Sequence, residues 1–149
     1  MAVTLTEVDH ACWLKHSQVE ADLARIYHDA PSERLPQVAD AFVESHLKSG
    51  GVFCCALFDD RLLAAVSVQK KTEAWWLAHF CVRKSMRRRG IGSRLLALIA
   101  EAAHEQGKAL RVEANQLQLE DQLLLTRLGY RPKASGFYFE LNPLAAGGY

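Results

Sequence analysis

The stretch WWLAHFCVRKSMRRRGIGSRLLALIA, residues 75–100, restricts the fold of this chain more than any other. Its first eight residues form a near-continuous apolar run bounded by charge, which predicts a central strand buried on both faces. Its last part opens a helix whose Leu95, Leu96, Ile99, Ala102 and Ala103 repeat at three- and four-residue steps, with Gly107 placed to close it. Between them lie Arg87-Arg88-Arg89-Gly90-Ile91-Gly92. The first N–H groups of a helix have no internal acceptor, and the aligned peptide dipoles leave about half a positive charge beside them. A glycine-containing entry lets an anion approach that main chain closely. The local chemistry favours a phosphate or pyrophosphate.

The flanking segments set the frame. VTLTEV (residues 3–8) reads as a first strand, and the periodicity from His10 to His28 predicts one helix. Pro31 and Pro36 break the pattern. A second helix is expected from about Pro36, with Val38, Phe42, Val43 and Leu47 on its apolar side and Gly50 as a left-handed cap. VFCCALF and RLLAAVSVQ, separated by Asp59-Asp60, read as a tight hairpin. After the long helix come the strand ALRVEA, the short helix LEDQLLLTRLG and the strand GFYFEL. The expected order is β-α-α-β-β-β-α-β-α-β: an α/β chain of α+β type with a mixed sheet, a single domain over residues 1–149.

Composition narrows the partners. Formal net charge is +1, so the arginine run is a local concentration on a balanced chain, which argues against a nucleic-acid partner. Cys12, Cys54, Cys55 and Cys81 form no CxxC pair and the histidines do not cluster, so no metal is expected. Free thiols, the absence of a signal-peptide pattern and the absence of a long apolar run point to a cytoplasmic protein with no membrane partner.

Three phosphate motifs compete for the glycine turn. The P-loop requires Gly-Lys-Ser/Thr, and this turn has Gly92-Ser93-Arg94. The dinucleotide fingerprint finds Gly90 and Gly92 but meets Leu95 at its third glycine, although Glu113 lies at a suitable distance beyond. The third pattern, Q/R-x-x-G-x-G/A, is matched by Arg87 to Gly92. Together with FCVRKSMRRRGIGSRLL as strand, loop and helix, and with LLLTRLGY as a late helix ending in Leu-Gly-Tyr, the chain resembles the GNAT superfamily of N-acetyltransferases. That resemblance implies the GNAT acyl-CoA N-acyltransferase fold with acetyl-CoA (CoA) as cosubstrate or ligand. The amides of Arg87, Arg88, Arg89, Gly90, Ile91, Gly92 and Ser93 would wrap the pyrophosphate. Main-chain groups of Phe80, Cys81 and Val82, at a splayed edge of the fourth strand, would pair with the pantetheine arm as an added strand does. Arg88 or Arg94 would meet the 3′-phosphate.

Acetyl transfer to an amine needs a base, and it gains from an acid at the departing thiolate. The resemblance places an acid, commonly Tyr, four residues before the Gly of Leu-Gly-Tyr; here Leu125 stands there. For the base, His79 titrates near neutrality and shares a strand face with Cys81, and Glu113 near the end of the next strand is the second candidate. Tyr130 and Tyr138 read as core or pocket walls. Trp75 and Trp76 are candidates to line an acceptor cleft.

DDRLLAAVSV followed by VRKSMRRRGIG further resembles the PanZ (PanM) branch of the superfamily, most densely over residues 59–92. In that branch the fold senses acetyl-CoA and binds the aspartate decarboxylase precursor of pantothenate synthesis, and the usual tyrosine is missing. The reading led by the general family features is N-acetyltransfer from acetyl-CoA to a small-molecule or protein amine by direct attack. The alternative is a PanZ-like, non-catalytic acetyl-CoA sensor whose partner is the decarboxylase precursor.

Overall fold

The hairpin over Asp59-Asp60 shows how local chemistry sets this architecture. In the structure, a computed structural model that describes residues 2–115 and 117–142, both aspartates take positive φ, 53° and 63°. That is the mirror-image turn which matches strand twist, so β2 (Val52–Phe58) runs straight into β3 (Arg61–Lys70) in antiparallel register. β1 (Thr4–Val8) pairs with β2 on its other side. Next come β4 (Ala74–Val82), β5 (Ala109–Glu113), β6 (Arg131–Lys133) and β7 (Tyr138–Leu141). The sheet order is β1-β2-β3-β4-β5-β7-β6, mixed because β4 and β5 run parallel.

Among the described residues five α-helices connect the strands: α1 (His10–Lys15), α2 (Ser17–His28), α3 (Ala39–Lys48), α4 (Ile91–Glu105) and α5 (Leu119–Arg127). Asp9 caps α1 by accepting from the Cys12 N–H at 2.8 Å, and Gln118 and Asp121 form a reciprocal capping box on α5. Gly50, Gly107 and Gly129 close α3, α4 and α5 with positive φ, as left-handed caps require.

The chain divides into two compact units. The first takes residues up to Gln69 and His79–Ile99. Its core lies between α2, α3 and the strands, where Leu23, Ile26, Phe42, Leu47 and Phe53 are buried. Each such side chain contributes about 1.5–3 kcal/mol on leaving water. The second unit takes Lys70–Ala78 and the chain from Ala100. There Trp75, Leu77, Leu110, Val112, Tyr130 and Phe139 are buried.

Five expectations change. The helix expected from His10 to His28 is two helices, because His16 leaves helical geometry at φ −123°, ψ 99°. α3 starts at Ala39, and Val38 lies outside it, extended and 77% exposed instead of on the apolar side. Trp75 is a core residue, not a cleft wall. The run at β4 is not buried throughout: Ala74, Trp75 and Leu77 are, whereas Ala78 and Phe80 are exposed. One strand, β6, adds to the expected order.

Candidate functional site

The predicted ligand-binding stretch begins where β4 changes character. Ala74 to Leu77 pair in parallel with Ala109 to Val112, using the regular strand ladder. At His79 the backbone turns left-handed, φ 52°, a costly conformation for a residue with a Cβ. Such an irregularity re-aims the strand beyond it. Phe80, Cys81 and Val82 follow.

Several contacts fix this segment inside the first unit. The Tyr27 hydroxyl donates to the His79 carbonyl at 2.7 Å. The Cys81 thiol donates to the Ile26 carbonyl at 3.3 Å; burial pushes its pKa up, with Arg87 opposing the shift. Cys81 is therefore a packed thiol, and burial outweighs the nearby arginines that would otherwise favour a nucleophilic thiolate. The Val82 carbonyl accepts from Arg87 Nε at 3.1 Å.

The turn into α4 then uses two left-handed residues, Arg88 at φ 65° and Gly90 at φ 76°. The Gly90 carbonyl accepts the first helical bond, from the Arg94 N–H at 3.0 Å, so Ile91, Gly92 and Ser93 occupy the first turn. A Cβ on Gly90 would meet no atom within 4 Å, so the space before the turn is open. Gly92 differs: a Cβ there would lie 2.5 Å from Phe80 Cζ and 3.3 Å from Val82 Cγ2. Its missing side chain lets α4 lie against the far half of β4. Arg87, Arg88, Arg89, Ser93 and Arg94 are exposed, and Ile91 is buried.

Of the catalytic candidates, His79 belongs to the same segment. It is half-buried, its Nδ1 is 3.2 Å from Ser67 Oγ, and its ring packs edge-on against Phe42 at 4.6 Å. Burial, then the neighbouring His46 and Arg34, hold its pKa below the usual imidazole value, so it is neutral at pH 7. Glu113 is an exposed strand-end residue of the second unit. Leu125, at the position of the family's acid, is buried at 6% exposure. Tyr130 is buried, its hydroxyl has no partner among the described residues, and burial pushes its pKa up, which makes it a poor proton donor. Tyr138 and Trp76 stack edge-on at 5.2 Å with the Arg111 guanidinium over both rings, and Arg111 is paired to Glu140 at 2.8 Å.

Sequence reading missed two contributors, Tyr27 and Asp29. The Asp29 carboxylate accepts from the Lys84 N–H at 2.8 Å, and its carbonyl accepts from Arg87 Nη2 at 2.9 Å. No local motif marks either residue, since each works through a partner more than fifty positions away.

The acetyltransferase (GNAT) domain of the PanZ type matches residues 8–128. The chain belongs to that family. Comparison with curated proteins gives no match. Among solved structures, a GNAT-family protein from Desulfovibrio desulfuricans superposes with TM-score 0.72 at 18% identity, covering 95% of this chain and 99% of that one. The ribosomal-protein-S18-alanine N-acetyltransferase of Escherichia coli superposes at 0.68 with 15% identity, over 93% and 90%. PaiA N-acetyltransferase of Thermoplasma acidophilum, in complex with coenzyme A, superposes at 0.65 with 12% identity, over 95% and 99%. These likenesses establish the fold of this PanZ-family chain. Among the described residues no helix is long and apolar enough to cross a membrane, and no three His, Cys, Asp or Glu side chains gather as a metal-ligand set.

Proposed function

We propose that this PanZ-family chain binds acetyl-CoA in its first unit and acts as an acetyl-CoA-responsive regulator of the aspartate decarboxylase precursor. The observation that carries the binding is the left-handed pair Arg88 and Gly90. It forms the entry to α4, whose first N–H groups lack helical acceptors, with open space beside Gly90 and exposed arginines around it. A diphosphate fits there: amides of Gly90 to Ser93 hold it, and Arg88 or Arg94 takes the 3′-phosphate. The main chain of Phe80 and Cys81 receives the pantetheine arm, and Val82 contributes its N–H, since Arg87 already uses its carbonyl.

The regulatory reading gains from which residues stand at the positions where a proton donor is expected. Leu125 is an aliphatic, buried residue where the family resemblance places the acid, and neither the Tyr130 phenol nor the Cys81 thiol is set up to replace it. Amine transfer is the second reading, and one observation favours it: His79 is neutral, the form a base requires, and directly precedes the proposed ladder.

Calorimetry with acetyl-CoA tests the binding, and no heat on titration removes both readings. With binding established, two assays separate them. The regulator accelerates self-cleavage of the decarboxylase precursor only when acetyl-CoA is present, and it releases no free thiol with a broad panel of amines. Thiol release that His79→Ala abolishes replaces the regulator with an acetyltransferase.

A further inference from the structure

The last turn of α2 touches the proposed site at four points. Ile26 accepts from the Cys81 thiol, Tyr27 donates to the His79 carbonyl, and Asp29 holds both the Lys84 amide and the Arg87 guanidinium. These four bonds reach the two parts of the site separately: residues 26 and 27 bond the far half of β4, while residue 29 bonds the loop before the glycine turn. We infer that this turn is the positioning element of the ligand site, with Tyr27 setting the strand ladder and Asp29 setting the phosphate loop. The inference rests on the acetyl-CoA reading and adds to it the residues that shape the site without touching the ligand.

A left-handed His79 is unfavourable by about 1–2 kcal/mol relative to an extended strand residue, so another contact must hold it. The Tyr27 hydroxyl is the group that does so. Its ring is packed against Phe42 at 5.1 Å and Phe53 at 5.4 Å, so the O–H is presented at one place, against the His79 carbonyl. The left-handed turn at His79, and with it the direction of Phe80 to Val82, follows from a hydroxyl 52 positions earlier in the chain. On the loop side the Asp29 carboxylate bonds the Lys84 N–H, and the backbone of the same residue anchors Arg87. Arg87 is thereby a strut, not a ligand, within the arginine run.

Tyr27→Phe keeps the packed ring and removes one O–H; Asp29→Ala removes one carboxylate from a half-buried position. Calorimetry with acetyl-CoA, together with hydrogen–deuterium exchange over residues 79–82 and 84–93 with and without saturating acetyl-CoA, reads both. Tyr27→Phe is expected to lower affinity about 10-fold, the size of one buried hydrogen bond. Its ligand-induced protection is expected to shrink at 79–82 and to persist at 84–93, and Asp29→Ala is expected to give the opposite pattern. Affinity equal to wild type in both variants overturns the inference, as does equal loss of protection over both segments, the signature of general loosening. If wild type takes up no acetyl-CoA, the proposed function is what has failed, and exchange of the ligand-free proteins still decides this point. Faster exchange confined to 79–82 in Tyr27→Phe supports the positioning role, and unchanged exchange overturns it.

Discussion

Tyr27 and Tyr130 are buried to the same degree, each at 1% exposure, one in each unit, yet their hydroxyls meet opposite fates. Tyr27 spends its O–H on the carbonyl of a left-handed residue. Among the described residues Tyr130 has no partner for its O–H, and it serves the second unit as a large ring in a core. Burial and residue type alone do not tell a structural phenol from a shaping one; the partner does. A buried hydroxyl with a partner gains about 1 kcal/mol, and one without costs about 1–3 kcal/mol.

This contrast can be broken at several points. The largest effect is expected on the ligand side of the first unit. Gly90→Val places a branched side chain in a left-handed residue and in the open space before the turn, so acetyl-CoA affinity should fall about 100-fold or more, and the backbone cost of about 1–2 kcal/mol should lower the melting temperature by about 2–8 °C. A variant that binds as wild type does would remove the ligand from this unit.

The next largest concerns the other buried polar anchor of α2. Asp22 is 1% exposed and accepts from Gln18, from Arg61 and from the buried Leu62 N–H at 3.0 Å. Asp22→Ala orphans that amide and should cost about 2 kcal/mol in urea unfolding. Burial alone would raise the Asp22 pKa, but the bonds from Arg61, Leu62 and Gln18 outweigh it and hold the carboxyl below the usual range. Its contribution is present above the unfolded carboxyl value and is lost as pH falls through its folded value.

Acidification at milder pH reaches the imidazoles first. His46 and His79 both have lowered pKa values, in each case chiefly through burial. Below about pH 6.5 the unfolded chain binds protons that the folded one refuses. Stability should be full above that pH and should fall as pH drops from there toward the folded values. Unfolding midpoints between pH 5 and pH 8 check this, and a flat profile contradicts it. The smallest effect sharpens the comparison directly: Tyr130→Phe removes an unpartnered hydroxyl and should leave stability unchanged or raise it by about 1 kcal/mol, as calorimetric melting would show.

The elements that proved legible are those whose causes lie within a few residues. The Asp59-Asp60 turn, the Leu95–Leu96–Ile99 stripe and the glycine caps each follow from local chemistry, and so does the turn at Gly90. What sequence hid was set from elsewhere. β6 is Arg-Pro-Lys, exposed at all three positions, and has no alternation to detect. Apolar character continues through β4 without a mark at His79, because the change of direction depends on Tyr27. Gly92 looked like part of a phosphate grip, and its strictest requirement is the Phe80 ring behind it.

The commitment of Arg87 alters how the basic run should respond to ionic strength. All three guanidinium charges draw an anion in from a distance, within a reach of about 8 Å at physiological salt. Arg87 has its hands full with two carbonyls, so in the proposed binding mode closing on the bound anion falls to other arginines such as Arg88. Added electrolyte should therefore slow arrival more than it hastens departure.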